Sequence, residues 1–156
     1  MFGCKGRKSY LCTMKTIGIA ADHAGFALKE DILKHLISQG YAIADFGTHS
    51  SESMDYPDVA HPLADAVEQG KAAFGIALCG SGNGINMTLN KHQGIRSALC
   101  WTPDIAALAR QHNNANICAL PARFITPESA FEIVETFLNT SFEGGRHQKR
   151  VEKIPC

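Results

Sequence analysis

Short apolar segments alternate with amphipathic segments along most of this chain of 156 residues. The apolar segments are each long enough for one buried strand, and they cover 15–21, 41–46, 74–79, 95–100 and 116–120. The amphipathic segments carry apolar residues at helical spacing, and they cover 24–39, 58–70, 84–92, 103–112 and 127–139. Strands separated by helices pair in parallel through right-handed crossovers. The sequence therefore predicts an α/β fold, a Rossmann-like three-layer αβα sandwich around a parallel sheet of about five strands.

The first predicted helix shows the pattern most clearly. Its apolar stripe predicts which side of the helix packs on the sheet, and it consists of Ala27, Leu28, Ile32, Leu36 and Ile37. Gly40 is expected to end this helix, because glycine readily adopts the left-handed backbone of a helix C-terminus.

Composition and charge narrow the class of protein. A hydrophobic fraction of 45% and a charged fraction of 19% are typical of one soluble globular domain at this length. Lysine and arginine together equal aspartate and glutamate together, at 15 each, so no overall field favours nucleic acid or a membrane surface. No apolar segment approaches the ~20 residues of a membrane span. We expect a flexible N-terminal extension over 1–13, followed by a single domain over 14–156.

The cysteines point to a compartment. None of the six forms a Cys-x-x-Cys pair, and Cys79, Cys100 and Cys118 lie within or at the ends of apolar segments. Buried unpaired cysteines are typical of a reducing environment. A cytoplasmic location is the resulting expectation.

The segment 74–84 carries the clearest functional pattern. An apolar strand ends at Cys79, and alternating glycines follow at Gly80, Gly82 and Gly84. Glycines let backbone N–H groups approach a ligand, and the start of a helix favours anions and stabilises a thiolate. A dinucleotide fingerprint has a different glycine spacing and follows the first strand, and a cysteine phosphatase loop would need an arginine near Ile85. Cys79 could be a structural cysteine that only packs in the core, but the glycines favour a reactive thiol beside an anion-binding loop.

Other polar residues follow the predicted strands or helices. Asp22 and His23 come directly after the first strand, where the aspartate could cap a helix or the two could form an acid–base pair. His112 closes the fourth helix, either as a cation favoured by the helix dipole or as a catalytic group. Arg146 and Arg150 are four residues apart, so on a helix they could grip one phosphate, whereas a solvated basic tail is the alternative. Ligands of such sheets bind beyond the carboxyl ends of the strands.

Six motifs in order resemble the ribose-5-phosphate isomerase type B family, which includes allose-6-phosphate and galactose-6-phosphate isomerases. They span about 14–153 and are Ala21-Asp22-His23-Ala24-Gly25, Asp55-Tyr56-Pro57, Cys79-Gly80-Ser81-Gly82-Asn83-Gly84, Gly94-Ile95-Arg96, Arg110-Gln111-His112-Asn113 and Glu143-Gly144-Gly145-Arg146-His147-Gln148-Lys149-Arg150. The resemblance implies an aldose–ketose isomerase of carbohydrate metabolism in the pentose phosphate pathway. It implies an enediolate intermediate, no metal and no nucleotide cofactor. The spacing of potential ligands along the sequence shows no metal site.

The resemblance also implies roles for individual residues. Cys79 would move the proton between C1 and C2, since Ile85 stands near the position where another branch of the family has a glutamate base. His112 would open the sugar ring with help from Asp22. The residues expected to bind substrate or stabilise the enediolate are Asp22, His23, Tyr56, Gly80, Ser81, Gly82, Asn83, Gly84, Asn113, Arg123, Arg146 and Arg150, with Ser81 also counted as catalytic. Each site would be shared by two subunits of a homodimer or a tetramer, and a monomer would be inactive.

Several alternatives remain open from the sequence. The preferred substrate is expected to be ribose 5-phosphate and ribulose 5-phosphate, with a six-carbon sugar phosphate such as allose 6-phosphate as the nearest rival. A phosphosugar-binding module without catalysis would need the glycines and arginines but not the thiol. A nucleotide-binding domain fits the glycine spacing poorly.

Overall fold

The computed structural model describes residues 15–156, so the predicted extension over 1–13 lies outside the described residues. Five strands alternate with helices in chain order: β1 (Thr16–Ala21), α1 (Phe26–Ser38), β2 (Ala42–Asp45), α2 (Pro57–Glu68), β3 (Phe74–Cys79), α3 (Asn83–Leu89), β4 (Ser97–Leu99), α4 (Pro103–Asn113), β5 (Ile117–Pro121), α5 (Pro127–Asn139) and α6 (Arg146–Val151). The strands form one parallel sheet in the order β2-β1-β3-β5-β4. The predicted α/β class and five-stranded parallel sheet are confirmed.

The helices cover both faces of the sheet. One core lies under α1, α4 and α5 and contains Ile32, Val134 and Phe137, all fully buried. The other lies under α2 and α3 and contains Leu63 and Ile85. This is the predicted three-layer arrangement, and it leaves only the two edges at the strand ends open to carry a site.

The buried side of α1 differs from the predicted stripe. Leu28, Ile32 and Leu36 are buried as expected, but Ile37 is 54% exposed and the side chain of Lys29 is fully buried. Lys29 is tolerated there because its Nζ lies 2.6 Å from Asp45 Oδ2 at the end of β2 and 2.9 Å from a carboxylate oxygen of Glu30. Paired burial of a lysine is what the hydrophobic pattern could not predict.

Two predicted elements are shorter than expected. α3 ends at Leu89 rather than 92, and β4 runs only from Ser97 to Leu99. Asn90 explains both, because its side chain donates to the carbonyl oxygen of Ser97 and accepts from the Ser97 N–H, at 2.8 Å each. The amide thus supplies bonds that a further helical turn or a longer strand would otherwise make.

Helix α4 runs from one edge of the sheet to the other. The helix begins beyond the carboxyl end of β4, where Thr102 Oγ1 accepts from the Ile105 N–H at 3.3 Å. It ends at the opposite edge of the sheet, where the Arg96 Nε donates to the carbonyl oxygens of Asn113 at 3.1 Å and Asn114 at 3.0 Å. Arg96 directly precedes β4, so α4 crosses the whole depth of the sheet.

In 15–156, no helix is long and apolar enough to cross a membrane.

Candidate active site

The three central strands place the predicted residues of β1, β3 and β5 side by side. The strands are in register to their ends, with Ala21 opposite Leu78 and Cys79 opposite Pro121. Beyond them the Asp22 N–H donates to the Leu78 carbonyl oxygen at 3.1 Å. The first group of site residues therefore forms at the carboxyl edge of the sheet, where parallel α/β sheets bind ligands.

Arg123 belongs to the same edge. Its N–H donates to the Gly80 carbonyl oxygen at 3.0 Å, and its guanidinium lies over that glycine, so close that an added Cβ would sit 3.2 Å from Nη1. The exposed cation and the glycine loop thus share one surface.

The Cys79 thiol lies at the base of this edge. The residue is 3% exposed and packs with the apolar side chains between the sheet and α2 and α3. The glycine loop follows this residue directly, so the thiol and the loop amides are adjacent along the chain.

Backbone donors follow the thiol in this loop. Within 15–156, the amides of Gly80, Ser81, Gly82 and Gly84 donate no hydrogen bond to another residue, whereas the Asn83 N–H donates to Ser81 Oγ at 3.3 Å. Unengaged N–H groups at the start of a helix are suited to an anionic oxygen. The loop therefore offers the cradle that its glycines predicted, with Asn83 contributing its side chain rather than its amide.

Two of the glycines are required by the local geometry. Gly82 has a φ of +76°, in the left-handed region, and a Cβ there would approach the Leu120 backbone to 3.1 Å. At Gly84 a Cβ would meet the ring of Tyr56, 2.5 Å from Cζ and 2.8 Å from the hydroxyl. Tyr56 is 37% exposed and stands at the start of α2, so its ring closes one side of the glycine loop.

Asp22 and His23 are both fixed by the loops around them. Asp22 is buried, and its Oδ1 accepts from the N–H groups of Ala24 at 2.9 Å and Gly25 at 3.1 Å, just before α1 begins at Phe26. His23 Nδ1 lies 3.2 Å from both the N and the O of Met54, in the loop that leads to Tyr56. Asp22 therefore makes the turn ahead of the helix, with Oδ2 left available, and His23 keeps its Nε2 for a ligand.

The remaining predicted residues form a second group around the end of α4. The rings of His112 and His147 are stacked, with centroids 4.2 Å apart and an interplanar angle of 11°. Glu143 Oε2 lies 3.6 Å from His147 Nε2, and the Glu143 N–H donates to the Gln111 carbonyl oxygen at 3.1 Å. Arg146 and Arg150 are exposed on α6, four residues apart as predicted, and Asn113 is exposed at the last residue of α4.

The electrostatics of this second group centre on His147. Burial lowers the pKa of His147, the neighbouring His112 and Arg146 lower it further, and Glu143 partly opposes them. Beneath it, Arg110 is buried against the Phe74 ring, 4.7 Å from its centroid, and burial lowers the pKa of this guanidinium too. Arg110 Nη1 donates to Asn114 Oδ1 at 3.0 Å and also to the Ala115 carbonyl oxygen, which anchors the helix end that carries His112.

The two groups lie at opposite edges of the sheet. Cys79 ends β3 at the carboxyl edge, whereas His112 lies in the last turn of α4, which ends beside Arg96 at the amino edge. A helix of 11 residues spans about 16 Å, so one chain holds the groups far beyond hydrogen-bonding distance. One chain thus brings together Asp22, His23, Tyr56, Arg123 and the 79–84 segment, but not His112, Asn113, Arg146 and Arg150.

His147, Glu143 and Arg110 were not singled out by sequence reasoning. One sequence signal could have predicted that His147 is buried. It lies four residues before Val151, a helical spacing, and both side chains are buried on α6. Its ring also joins a group of metal-ligand type, His112 with Glu143 and His147, and a second such group unites Asp65, Glu68 and His92. The spacing of potential ligands along the sequence showed no metal site, because the members of each group are not contiguous in sequence and are brought together only by folding.

One cavity of the described residues lies away from both groups. A cavity of about 460 Å³ is lined by residues such as Ala44, Phe46, Pro62 and Lys71, none of which belongs to either group. At the carboxyl edge the structure instead brings together the buried Cys79 thiol, the Asp22 carboxylate, the His23 imidazole and the unengaged amides, with the Tyr56 ring on one side. Such an assembly at the strand ends of a doubly covered parallel sheet is typical of an α/β enzyme.

Comparison with known proteins identifies the family. The family model described as Ribose/Galactose Isomerase matches residues 17–154. The chain is 46% identical over 141 residues to ribose-5-phosphate isomerase B of Escherichia coli, covering 90% of this chain and 95% of that protein. It is 44% identical over 142 residues to D-erythrulose-4-phosphate isomerase of Pectobacterium atrosepticum, covering 90% and 93%. The chain therefore belongs to the ribose/galactose isomerase family, as its motifs indicated.

Solved structures agree with the fold. The ribose 5-phosphate isomerase of Thermotoga maritima superposes with a TM-score of 0.89 at 51% identity, covering 90% of this chain and 97% of that one. Ribose-5-phosphate isomerase B of Mycoplasma genitalium, solved with bound ribulose-5-phosphate, gives a TM-score of 0.86 at 43% identity, covering 89% and 93%.

Proposed function

We propose that this isomerase interconverts ribose 5-phosphate and ribulose 5-phosphate through an enediolate, with Cys79 as the base. The observation that carries the proposal is the set of unengaged amides at Gly80, Ser81, Gly82 and Gly84, which directly follow Cys79, the free thiol at the end of the central strand β3. Proton abstraction next to a carbonyl creates an oxyanion, and that site supplies both the base and the donors for it.

The steps balance with no further reactant. The Cys79 thiolate takes the proton from C2 of the open-chain aldose, and the C–H electrons form the C1–C2 double bond while the carbonyl electrons move to O1. Amides of the glycine loop, with the Ser81 hydroxyl, stabilise the resulting oxygen anion, each preorganised donor contributing about 3 kcal/mol. A proton then passes from the O2 hydroxyl to O1, which leaves O1 as a hydroxyl and the negative charge on O2. The thiol returns its proton to C1, the electrons of the C1–C2 double bond form the new C1–H bond, and the O2 anion re-forms a carbonyl, which gives the ketose and restores the thiolate.

The ring-opening and phosphate groups come from a second copy in this proposal. His112 acts as the acid that opens the furanose ring, Asp22 assists it, and Asn113 binds sugar hydroxyls. Arg146 and Arg150 hold the phosphate together with Arg123 and His23. The placement of the two groups at opposite edges of one chain supports this shared site, since neither edge alone carries both the base and the acid.

Exposed apolar residues support contact with a second copy. Met87 on α3 is 64% exposed and Phe124, next to Arg123, is 76% exposed. Both flank the glycine loop, where a monomer would leave them in water. A homodimer, or a tetramer built from such dimers, would cover these side chains.

The decisive test compares Cys79→Ala with a matched control, Cys118→Ala, which removes another buried thiol from the adjacent strand. We expect Cys79→Ala to lose about 10²–10⁴-fold in kcat while ribose 5-phosphate still binds by calorimetry. The control should retain turnover. Arg146→Ala should instead raise KM with a smaller change in kcat. Unchanged turnover in Cys79→Ala would refute the base, and normal affinity in Arg146→Ala would place the phosphate elsewhere.

Substrate length is tested on the unmodified protein. We propose the five-carbon substrate over the six-carbon one, on the basis of the ribose-5-phosphate isomerases among the relatives. Turnover should therefore be compared on ribose 5-phosphate, allose 6-phosphate and erythrulose 4-phosphate. A higher kcat/KM on either of the others would overturn the choice, and binding with no turnover on any of them would identify a phosphosugar-binding module instead.

We also propose a cytoplasmic location. Cys79, Cys100 and Cys118 are buried as free thiols, and Cys156 is an exposed one. A reducing compartment keeps such thiols free.

A further inference from the structure

Two histidines and two carboxylates meet on the face of the sheet that α2 and α3 cover, and none of the four belongs to either group of the proposed site. His61, Asp65 and Glu68 lie one turn apart along a single side of α2. His92 approaches them from the turn between α3 and β4. His92 Nδ1 lies 3.6 Å from Asp65 Oδ1 and 3.4 Å from Glu68 Oε2. The three ligand atoms lie within 4.8 Å of one another.

These separations match the edges of a metal's coordination shell. Histidine nitrogen and carboxylate oxygen bind Zn²⁺ at about 2.0–2.2 Å, and in a tetrahedral shell two such ligands lie roughly 3.3–3.5 Å apart. The observed distances from His92 Nδ1 are long for direct hydrogen bonds but close to that spacing.

The surrounding bonds hold the ligand atoms in place. Glu68 Oε1 accepts from the Gly94 N–H at 2.7 Å, which turns Oε2 toward His92. His92 Nε2 lies 2.8 Å from His61 Nδ1. If His92 donates in that bond, its Nδ1 carries a lone pair facing the carboxylates, and a ligand histidine whose other nitrogen donates to a neighbouring acceptor is the usual arrangement in metal sites.

No basic side chain competes for these carboxylates in the part of the chain that the structure describes. Among residues 15–156, no lysine or arginine nitrogen lies within 4.0 Å of the Asp65 or Glu68 carboxylate. The imidazole of His92 lies within 4.0 Å of both.

We propose that Asp65, Glu68 and His92 bind a divalent transition-metal ion of the zinc type, with His61 orienting the His92 ring. Neutral imidazole and carboxylate ligands suit Zn²⁺ and its neighbours, while the single nitrogen and incomplete oxygen shell fit Ca²⁺ and Mg²⁺ poorly. The ion joins α2 to the segment that leads into β4. None of its three ligands belongs to either group of the proposed isomerase site, so we expect the ion to take no part in the isomerisation.

Zinc titration of the full chain, by calorimetry and by thermal shift, tests the proposal. Zn²⁺ should bind and raise Tm in the unmodified protein. His92→Gln and Asp65→Asn should lose that binding, and His61→Gln should weaken it about 10–100-fold. Isomerase turnover should be unchanged in all three variants, and Asp65→Asn, at an exposed position, keeps the test open if His92→Gln fails to fold.

Two controls separate the outcomes. His49→Gln changes a histidine whose side chain is 73% exposed, and Glu143→Gln changes the other ligand-type group. Both should keep the zinc response that His92→Gln loses. Loss of the response only in Glu143→Gln, or no zinc response of the unmodified protein at neutral pH, would overturn the proposal.

Discussion

Mixing two inactive variants, Cys79→Ala and His112→Asn, is expected to restore isomerase activity. The structure places the two residues at opposite edges of one sheet, at the end of β3 and in the last turn of α4. The 11 residues of α4 and the strands it covers separate those edges by about 16 Å. Acid–base catalysis needs contacts of about 3 Å, so in the proposed mechanism the intact partners come from different chains.

The size of the recovery follows from the symmetry of the assembly. In a two-fold dimer each site combines the carboxyl edge of one chain with the amino edge of the other. A mixed dimer then has one site carrying both lesions and one site carrying neither. Random exchange makes half of the dimers mixed, so activity should return to about one quarter of the unmodified value.

A matched pair makes the experiment selective. Cys79→Ala mixed with Arg123→Ala combines lesions on the same edge, so every site in the mixed dimer keeps one lesion and activity should stay at the level of the separate variants. Turnover is measured before and after subunit exchange under dilute denaturant. Recovery with Arg123→Ala but not with His112→Asn would refute the assignment of the two groups to different chains.

Three further substitutions test the local reasoning. Gly84→Ala should push the Tyr56 ring off the loop, because the added Cβ would lie 2.5 Å from the ring Cζ. We expect kcat/KM to fall about 10–100-fold. The loss of Tm should be small, because the Tyr56 side chain is partly exposed and can move outward. Lys29→Ala should lower the free energy of unfolding in urea by about 3 kcal/mol by stranding Asp45, whereas Lys29→Met combined with Asp45→Asn should recover most of it; equal loss in both would contradict the ion-pair account. His147→Asn should flatten the pH dependence of stability: because burial lowers the folded pKa of His147, the unfolded chain takes up a proton first as pH falls below about 6.5, and stability declines from there to the folded pKa in the unmodified protein but not in the variant.

The carboxyl edge of the site was predictable because parallel topology fixes it. Once five strands alternate with helices, residues that directly follow β1, β3 and β5 must emerge at one edge, which is why Asp22, Cys79 and Arg123 meet there. The glycine spacing then predicted the unengaged amides between them. Neither inference needs a side-chain contact, only the direction of the chain.

The parallel topology also predicts that His112 lies at the amino edge of the sheet. A crossover helix returns to the amino edge, so a residue in its last turn is always carried away from the strand ends of its own chain. The sequence predicted the residue and the helix end, but proximity to Cys79 could not follow from either.

Other features depend on packing that no periodicity encodes. Lys29 occupies the buried side of α1 because Asp45 at the end of β2 meets it, and that pairing spans 16 positions of sequence. Ile37 belongs to the apolar stripe predicted from the sequence, but its side chain does not pack on the sheet and is 54% exposed. His147 is buried by stacking on His112, a contact made across two helices.

The topology also explains why one interface would serve two reactions at once. A chain with the proposed base, Cys79, at one edge and the proposed acid, His112, at the other cannot close its own site, but in the proposed dimer a two-fold axis would present each edge to the opposite edge of the partner. Both contacts then form in the same event, and every residue pair across the interface occurs twice. Separating the copies would remove the acid and the phosphate grip from both thiols together, so activity on dilution should fall in proportion to the dimer concentration, with no intermediate state of half activity.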